Sequence, residues 1–231
     1  PPVPPLNLVG DFGGGGMLLA LGLVSALLES KSSGKGQVID AAMTDGSALL
    51  MSMFYSMKAS GAWNEEVGTN FLDGGAHFYD SYECKDGKYI SIGSIEPQFY
   101  AMLREVAELK DPIFDDQMSR KEWPEKKEAI TKIFFAKTRD EWCELMEGTD
   151  ICFAPILSMW EAPNHPHNVA RKTFIELEGL SQPAPAPRFS RTEAEVSSPP
   201  SIAGEHTDSI LKDLGYDETE ISSLKNQGGV A

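Results

Sequence analysis

Asn7-Leu-Val-Gly-Asp11-Phe-Gly-Gly-Gly-Gly16-Met-Leu-Leu-Ala-Leu-Gly-Leu-Val-Ser-Ala-Leu-Leu-Glu29 decides how the rest of the chain is read. Four consecutive glycines, Gly13, Gly14, Gly15 and Gly16, stand between the Asp11 carboxylate and an apolar run from Met17 to Leu28. Without Cβ atoms such a stretch lets backbone N–H groups come close to a ligand, and a helix following it turns its positive end to the same place. On that reading Asp11 sits at the lip of a pocket whose free amides stabilise a developing negative charge. A glycine turn leading into a core helix has the same spacing, so the stretch by itself leaves both readings open.

Around it, 231 residues with 41% apolar content are enough to bury a core, above the common size of one domain and below two. A net charge of -15 argues against nucleic acid or an anionic membrane surface as a partner, because either needs a basic footprint. Cys84, Cys143 and Cys152 form no Cys-x-x-Cys pair, which fits a reducing compartment and speaks against zinc or a disulfide framework. The run Met17 to Leu28 is about half of what a bilayer crossing needs and contains Gly22 and Ser25, so no membrane span is expected. Pro1-Pro-Val-Pro-Pro5 reads as a connector arriving from elsewhere, and the start as a cut end.

Taken in order, Met17 to Glu29 is apolar nearly all round and is expected to be buried on several sides, with Gly34 as its left-handed stop. Gln37 to Asp40 reads as a short strand, and Ala41 to Ser60 as a helix carrying Met43, Met51, Met53 and Met57. That methionine stripe reads as core filling or as an adaptable apolar floor for a ligand. Phe78 to Cys84 and Lys88 to Ile95 alternate as a β-hairpin about Asp86-Gly87. Glu96-Pro97 opens a helix to about Leu109, which puts a carboxylate at a strand-to-helix junction. Two further helices follow at Trp123 to Lys137 and Arg139 to Glu147, the second opened by the capping box Thr138-Arg-Asp-Glu141. Cys152 to Leu157 and Thr173 to Leu177 read as strands, His165 and His167 as loop histidines without a third metal ligand, and Pro183 to Pro187 as a stiff linker. Asp208 to Leu214 and Asp217 to Lys225 read as short acidic helices.

Several of these stretches resemble a known group when taken together. Asn7 to Gly16, Ser33 to Met43, Leu72-Asp-Gly-Gly-Ala76, Tyr79 to Cys84, Ile95-Glu-Pro-Gln-Phe-Tyr100, Ala186-Pro-Arg-Phe189 and Gly204-Glu-His-Thr207 are similar, in this order, to the family III CoA-transferase superfamily in its α-methylacyl-CoA racemase branch. The resemblance implies a mixed α/β and α+β architecture with a Rossmann-like, CoA-binding large domain and a small α+β domain in an interlocked homodimer. Residues 1–43 then end the large domain, 44–75 form a linking helix and loop, 76–182 the small domain, and 183–231 a tail returning to the large domain.

The chemistry implied is racemisation at the carbon next to a CoA thioester, through an enolate, in 2-methyl-branched acyl-CoA substrates. By motif Asp11 matches the catalytic aspartate and Glu96 the glutamate that orients a catalytic histidine; Asn7, Gly13, Gly14, Gly15, Gly16, Tyr79 and Ile95 fall at the substrate. The histidine belongs to a motif upstream of Pro1, and none of His77, His165, His167 or His206 stands in it, so the chain alone is expected to be inactive. CoA is part of the substrate, so no separate cofactor and no metal are implied, and the compartment implied is the peroxisome or mitochondrion. Two other readings stay open: CoA transfer with Asp11 as nucleophile, and a non-catalytic fragment that serves interaction or folding.

Overall fold

Helix begins ahead of the glycines, not after them. In the computed structural model, which describes residues 4–230, Leu8–Met17 is a π-helix running directly into α1 (Leu18–Ser33). Its ladder opens with Phe12 N–H donating to Asn7 O at 3.1 Å. The glycine loop expected between Asp11 and the helix is therefore the wide turn of the helix itself. α1 ends as expected on Gly34, at φ 73°, whose N–H donates to Ser30 O at 2.8 Å.

Packing accounts for the glycines. α2 (Met43–Leu50) crosses the π-helix so closely that a Cβ on Gly46 would stand 1.8 Å from Gly14 O, and one on Gly14 2.8 Å from Ser47 N. Only hydrogen fits on either side of this seam. The expected helix 41–60 is broken at Met51 into α2 and α3 (Ser52–Ala59), and Gln37 to Asp40 forms no strand.

Two other expectations fail here. None of the α1 residues is buried, and Leu21, Val24, Leu27 and Leu28 are 61% to 71% exposed. Met43, Met51 and Met53 are likewise exposed and fill no core. With its π-helical start, the run Leu8–Ser33 reaches 26 residues and is by length and composition able to cross a membrane, where the apolar run alone falls short. The core helix of a larger fold has the same length and composition.

The chain divides into two units, Pro1–Pro155 and Ile156–Ala231. The first is centred on a three-stranded sheet in the order β1 (Tyr79–Glu83), β2 (Tyr89–Gly93), β3 (Phe153–Ile156). β1 and β2 form the antiparallel hairpin expected about Asp86-Gly87, with Tyr79 opposite Gly93 and Glu83 opposite Tyr89. Tyr82, Ile90 and Ile92 turn inward from it.

Three helices bury their stripes in the same core. α4 (Pro97–Val106) contributes Tyr100 and Leu103, α5 (Trp123–Phe134) Trp123, Ile130 and Phe134, and α6 (Arg139–Met146) Trp142 and Met146. Edge-to-face pairs of Phe78 with Trp123 at 5.8 Å and Phe134 with Trp142 at 5.1 Å lock the layers together. The capping box at Thr138 is formed in both directions, as expected.

The second unit holds α7 (Pro166–Ala170), the hairpin of β4 (Phe174–Leu177) and β5 (Leu180–Pro183), then α8 (Thr207–Asp213) and α9 (Glu218–Asn226). His165 precedes α7 and His167 lies inside it, where a loop was expected. β5 takes in Pro183, expected to open the linker, and the residues just before it, for which no element is expected.

Candidate active site

The residues singled out in the sequence lie in two places within the first unit. Asn7 and Asp11 are both exposed, Asn7 just ahead of the π-helix and Asp11 in its first turn. A helix start favours a carboxylate through its dipole. In a π-ladder each N–H bonds the carbonyl five residues back, and the first rung is Phe12 to Asn7. Ahead of Phe12, Leu8 N–H turns back to Pro5 O at 3.4 Å, and the amides of Val9, Gly10 and Asp11 stand before the first rung. This corrects the cradle expected at Gly13 to Gly16: the amides beside Asp11 are its own and those of Val9 and Gly10, while Gly14 and Gly15 are buried against α2.

Glu96 occupies the N-cap position of α4, with extended backbone and Pro97 behind it. Its carboxylate makes no cap hydrogen bond. Among the described residues the side-chain carboxylate of neither Glu96 nor Asp11 accepts a hydrogen bond or pairs with a cation. Most acids of this chain that flank a helix start are engaged otherwise; Asp217 and Glu141, for example, are both spent in capping boxes.

A cavity of about 470 Å³ opens on the sheet, lined by Tyr79, Asp80, Gly93 and Cys152 together with Asp73 and Gly74, and Glu96 is not part of its wall. Of the residues expected at the substrate, Tyr79 lines it, Ile95 packs on the core, and Asn7, Asp11 and the glycines do not line it. Asp73 is structural here. Its carboxylate accepts from the backbone of Gly68, Asn70 and Gly75 and from the Asn70 amide at 2.8 to 3.2 Å. Burial works to raise the Asp73 pKa, but these donors outweigh it and leave it below the ordinary value. Lys127 then ties the loop to β1: its ammonium contacts Asp80 at 2.5 Å and donates to Gly74 O.

The sequence gives Cys152 an unpaired thiol and a place at the start of a strand, but no role in a site. It is exposed, has a left-handed backbone at φ 60°, and its carbonyl accepts from Gly93 N–H at 2.9 Å. Burial first, then the charges of Glu96 and Asp150, push its thiol pKa upward, which puts Glu96 within electrostatic reach of the cavity wall. No local pattern announces this, since the two residues are brought together by the sheet.

His77 is fully buried and belongs to the core rather than to a proton-transfer site. Tyr100 gives its single hydroxyl proton to Phe114 O at 3.1 Å, so its oxygen accepts from His77 Nε2 at 2.8 Å. Nδ1 is left without a partner. Burial, reinforced by the Lys126 ammonium, pulls the His77 pKa down to about 3. Among the described residues no group of three or more His, Cys, Asp or Glu could hold a metal ion.

The helix pair, the hairpin sheet and the helices packed on it share the fold of family III CoA-transferases. A CaiB/BaiF family protein from Brucella suis superimposes on 93% of this chain, and on 57% of its own, with a TM-score of 0.68 at 22% identity. The chain belongs to CoA-transferase family III, whose model matches residues 1–207. It is 46% identical over 226 residues to alpha-methylacyl-CoA racemase of Mus musculus, and 42% over 227 residues to that of Homo sapiens. These alignments take in 96% and 97% of the chain, which spans 59% of the length of each racemase.

Proposed function

We propose that this chain supplies part of the acid–base machinery of a racemase acting on 2-methyl-branched acyl-CoA thioesters. The observation that carries the reading is the pair of carboxylates, Asp11 and Glu96, that neither cap a helix nor pair with a cation. A carboxylate that is to take a proton from a substrate, or to hold the group that does, needs oxygen lone pairs within reach of that partner. The identity to the mouse and human racemases supports the substrate class.

The proton next to a thioester carbonyl is weakly acidic, so its removal needs a positioned base and donors for the enolate oxygen, and inversion needs a second group on the opposite face. Asp11 is the base on one face, with its own amide and those of Val9 and Gly10 as the nearest donors. Glu96 orients the second group, a histidine matched by none of the four in this chain. The 231 residues alone are therefore expected to exchange an α-proton about 10² to 10⁴ times more slowly than a protein holding both groups.

The test is to graft this chain into the mouse racemase in place of the matching stretch and incubate graft and bare chain with a 2-methylacyl-CoA in D2O, without an acceptor acid. Deuterium wash-in by the graft and not by the bare chain is expected. Covalent acylation of Asp11 with no wash-in would overturn racemisation in favour of CoA transfer. Equal wash-in by the bare chain would contradict the missing-histidine argument.

A further inference from the structure

Between the end of β2 at Gly93 and the start of α4 at Pro97 the backbone belongs to no strand or helix, yet it carries Glu96 into solvent. Carbonyls on such a connection have no ladder partner and need donors from elsewhere. Gln117 provides them. Its side-chain amide donates to Ser94 O and to Ile95 O, both at 2.9 Å, from more than twenty residues downstream. Both amide protons are thus used on two consecutive carbonyls, which fixes the peptide plane leading into Glu96.

The clamp is itself anchored. The carbonyl of Gln117 accepts from the indole N–H of Trp123 at 2.9 Å, and Trp123 is a core residue. On the other side, buried Ser94 donates its hydroxyl to Ile151 O at 2.5 Å and its N–H to Phe78 O at 3.0 Å. Ile95 N–H turns back to Gly93 O at 2.8 Å, and Glu96 O accepts from Phe99 and Tyr100 at 3.0 Å. Every backbone carbonyl from Ser94 to Glu96 is engaged, while the Glu96 carboxylate stays unengaged.

We propose that Gln117 is a positioning residue for Glu96: its two-pronged amide aims the strand-to-helix junction so that the carboxylate is held out, ready to orient a proton-transfer group. This rests on the reading of Glu96 as part of the acid–base site. The Ser94 and Phe78 contacts alone leave the Ile95 carbonyl, immediately before Glu96, without a donor.

Gln117→Met keeps length and bulk and removes both donors. In the 231-residue chain, backbone NMR order parameters at Ile95 and Glu96 are expected to drop from about 0.85 to below about 0.6, with β1 and α5 unchanged. Gln117→Glu is the second variant: as a carboxylate it has no donor, and protonation restores one, so order at Glu96 should rise as the pH falls through the range in which that carboxyl takes up its proton. In the racemase graft, Gln117→Met should lower kcat for α-deuterium exchange about tenfold with KM within about twofold, as for an interaction that matters only in the transition state. Unchanged order at Ile95 and Glu96 in both variants overturns the clamp. Absence of exchange by the unsubstituted graft overturns the racemase reading instead, and leaves the clamp to be judged on the order parameters.

Discussion

His77 and Cys152 show how one position reports on its surroundings. A histidine held neutral by burial down to about pH 3 must be protonated in the unfolded chain below its ordinary 6.5. The unfolded state then binds the extra proton, so stability is complete above pH 6.5 and is lost as the pH falls through that window, by up to ~1.4 kcal/mol per pH unit. Urea unfolding at pH 7, 6 and 5 should show this decline, and His77→Gln should flatten it; an equal slope in the variant would mean that another group titrates. At Cys152 the negative charge of Glu96 helps to hold the thiol protonated. Glu96→Gln should therefore speed maleimide labelling of Cys152 at pH 8 about twofold to fivefold, read by peptide mass mapping. Buried Cys84, whose thiol burial pushes up to about 11, should not react in the folded chain. An unaltered Cys152 rate would place Glu96 out of reach of the cavity.

At the scale of elements, the glycine stretch is a packing seam. Gly46→Ala must push a Cβ into Gly14 O, and the expected cost is ~1–3 kcal/mol or more, since overpacked contacts are relieved only by backbone shifts. Thermal unfolding of the variant checks it; a loss below ~0.5 kcal/mol would mean that α2 moves freely from the π-helix. Thr138→Ala should cost about 1 kcal/mol, because Glu141 N–H loses its acceptor at the start of α6. Elements with local chemistry were legible in the sequence: the Asp86-Gly87 hairpin, Pro97 opening α4 and the box at Thr138 each depend on residues within a few positions. The π-helix was not, because four glycines carry no side chains to set a period and the turn is shaped by α2, a neighbour outside the stretch. β5 had a signal that went unread. Glu178 and Gly179 both take positive φ, 50° and 79°, in the two-residue turn that pairs Leu177 with Leu180.

Across the whole molecule, the motif order carried the family and fold, while the exposure of the front helices did not follow from periodicity. An all-round apolar α1 reads as buried, yet Leu27 and Leu28 are 63% and 71% exposed in a chain spanning 59% of its racemase relatives. Periodicity reports what a helix can bury, not which partner is present to bury it. The candidate site was legible as residue types at junctions, Asp11 after an asparagine-led turn and Glu96 before Pro97. The clamp from Gln117 and the thiol of Cys152 were not, since both reach the site through tertiary contacts with no spacing to betray them. Asp11 as the proton-abstracting base is the claim on which the account turns. The direct measurement is the initial rate of α-deuterium wash-in to a 2-methylacyl-CoA by the racemase graft and its Asp11→Asn variant. A fall of at least about 10² in kcat with CoA binding retained is the predicted result; exchange by Asp11→Asn within about threefold of the unsubstituted graft would contradict it.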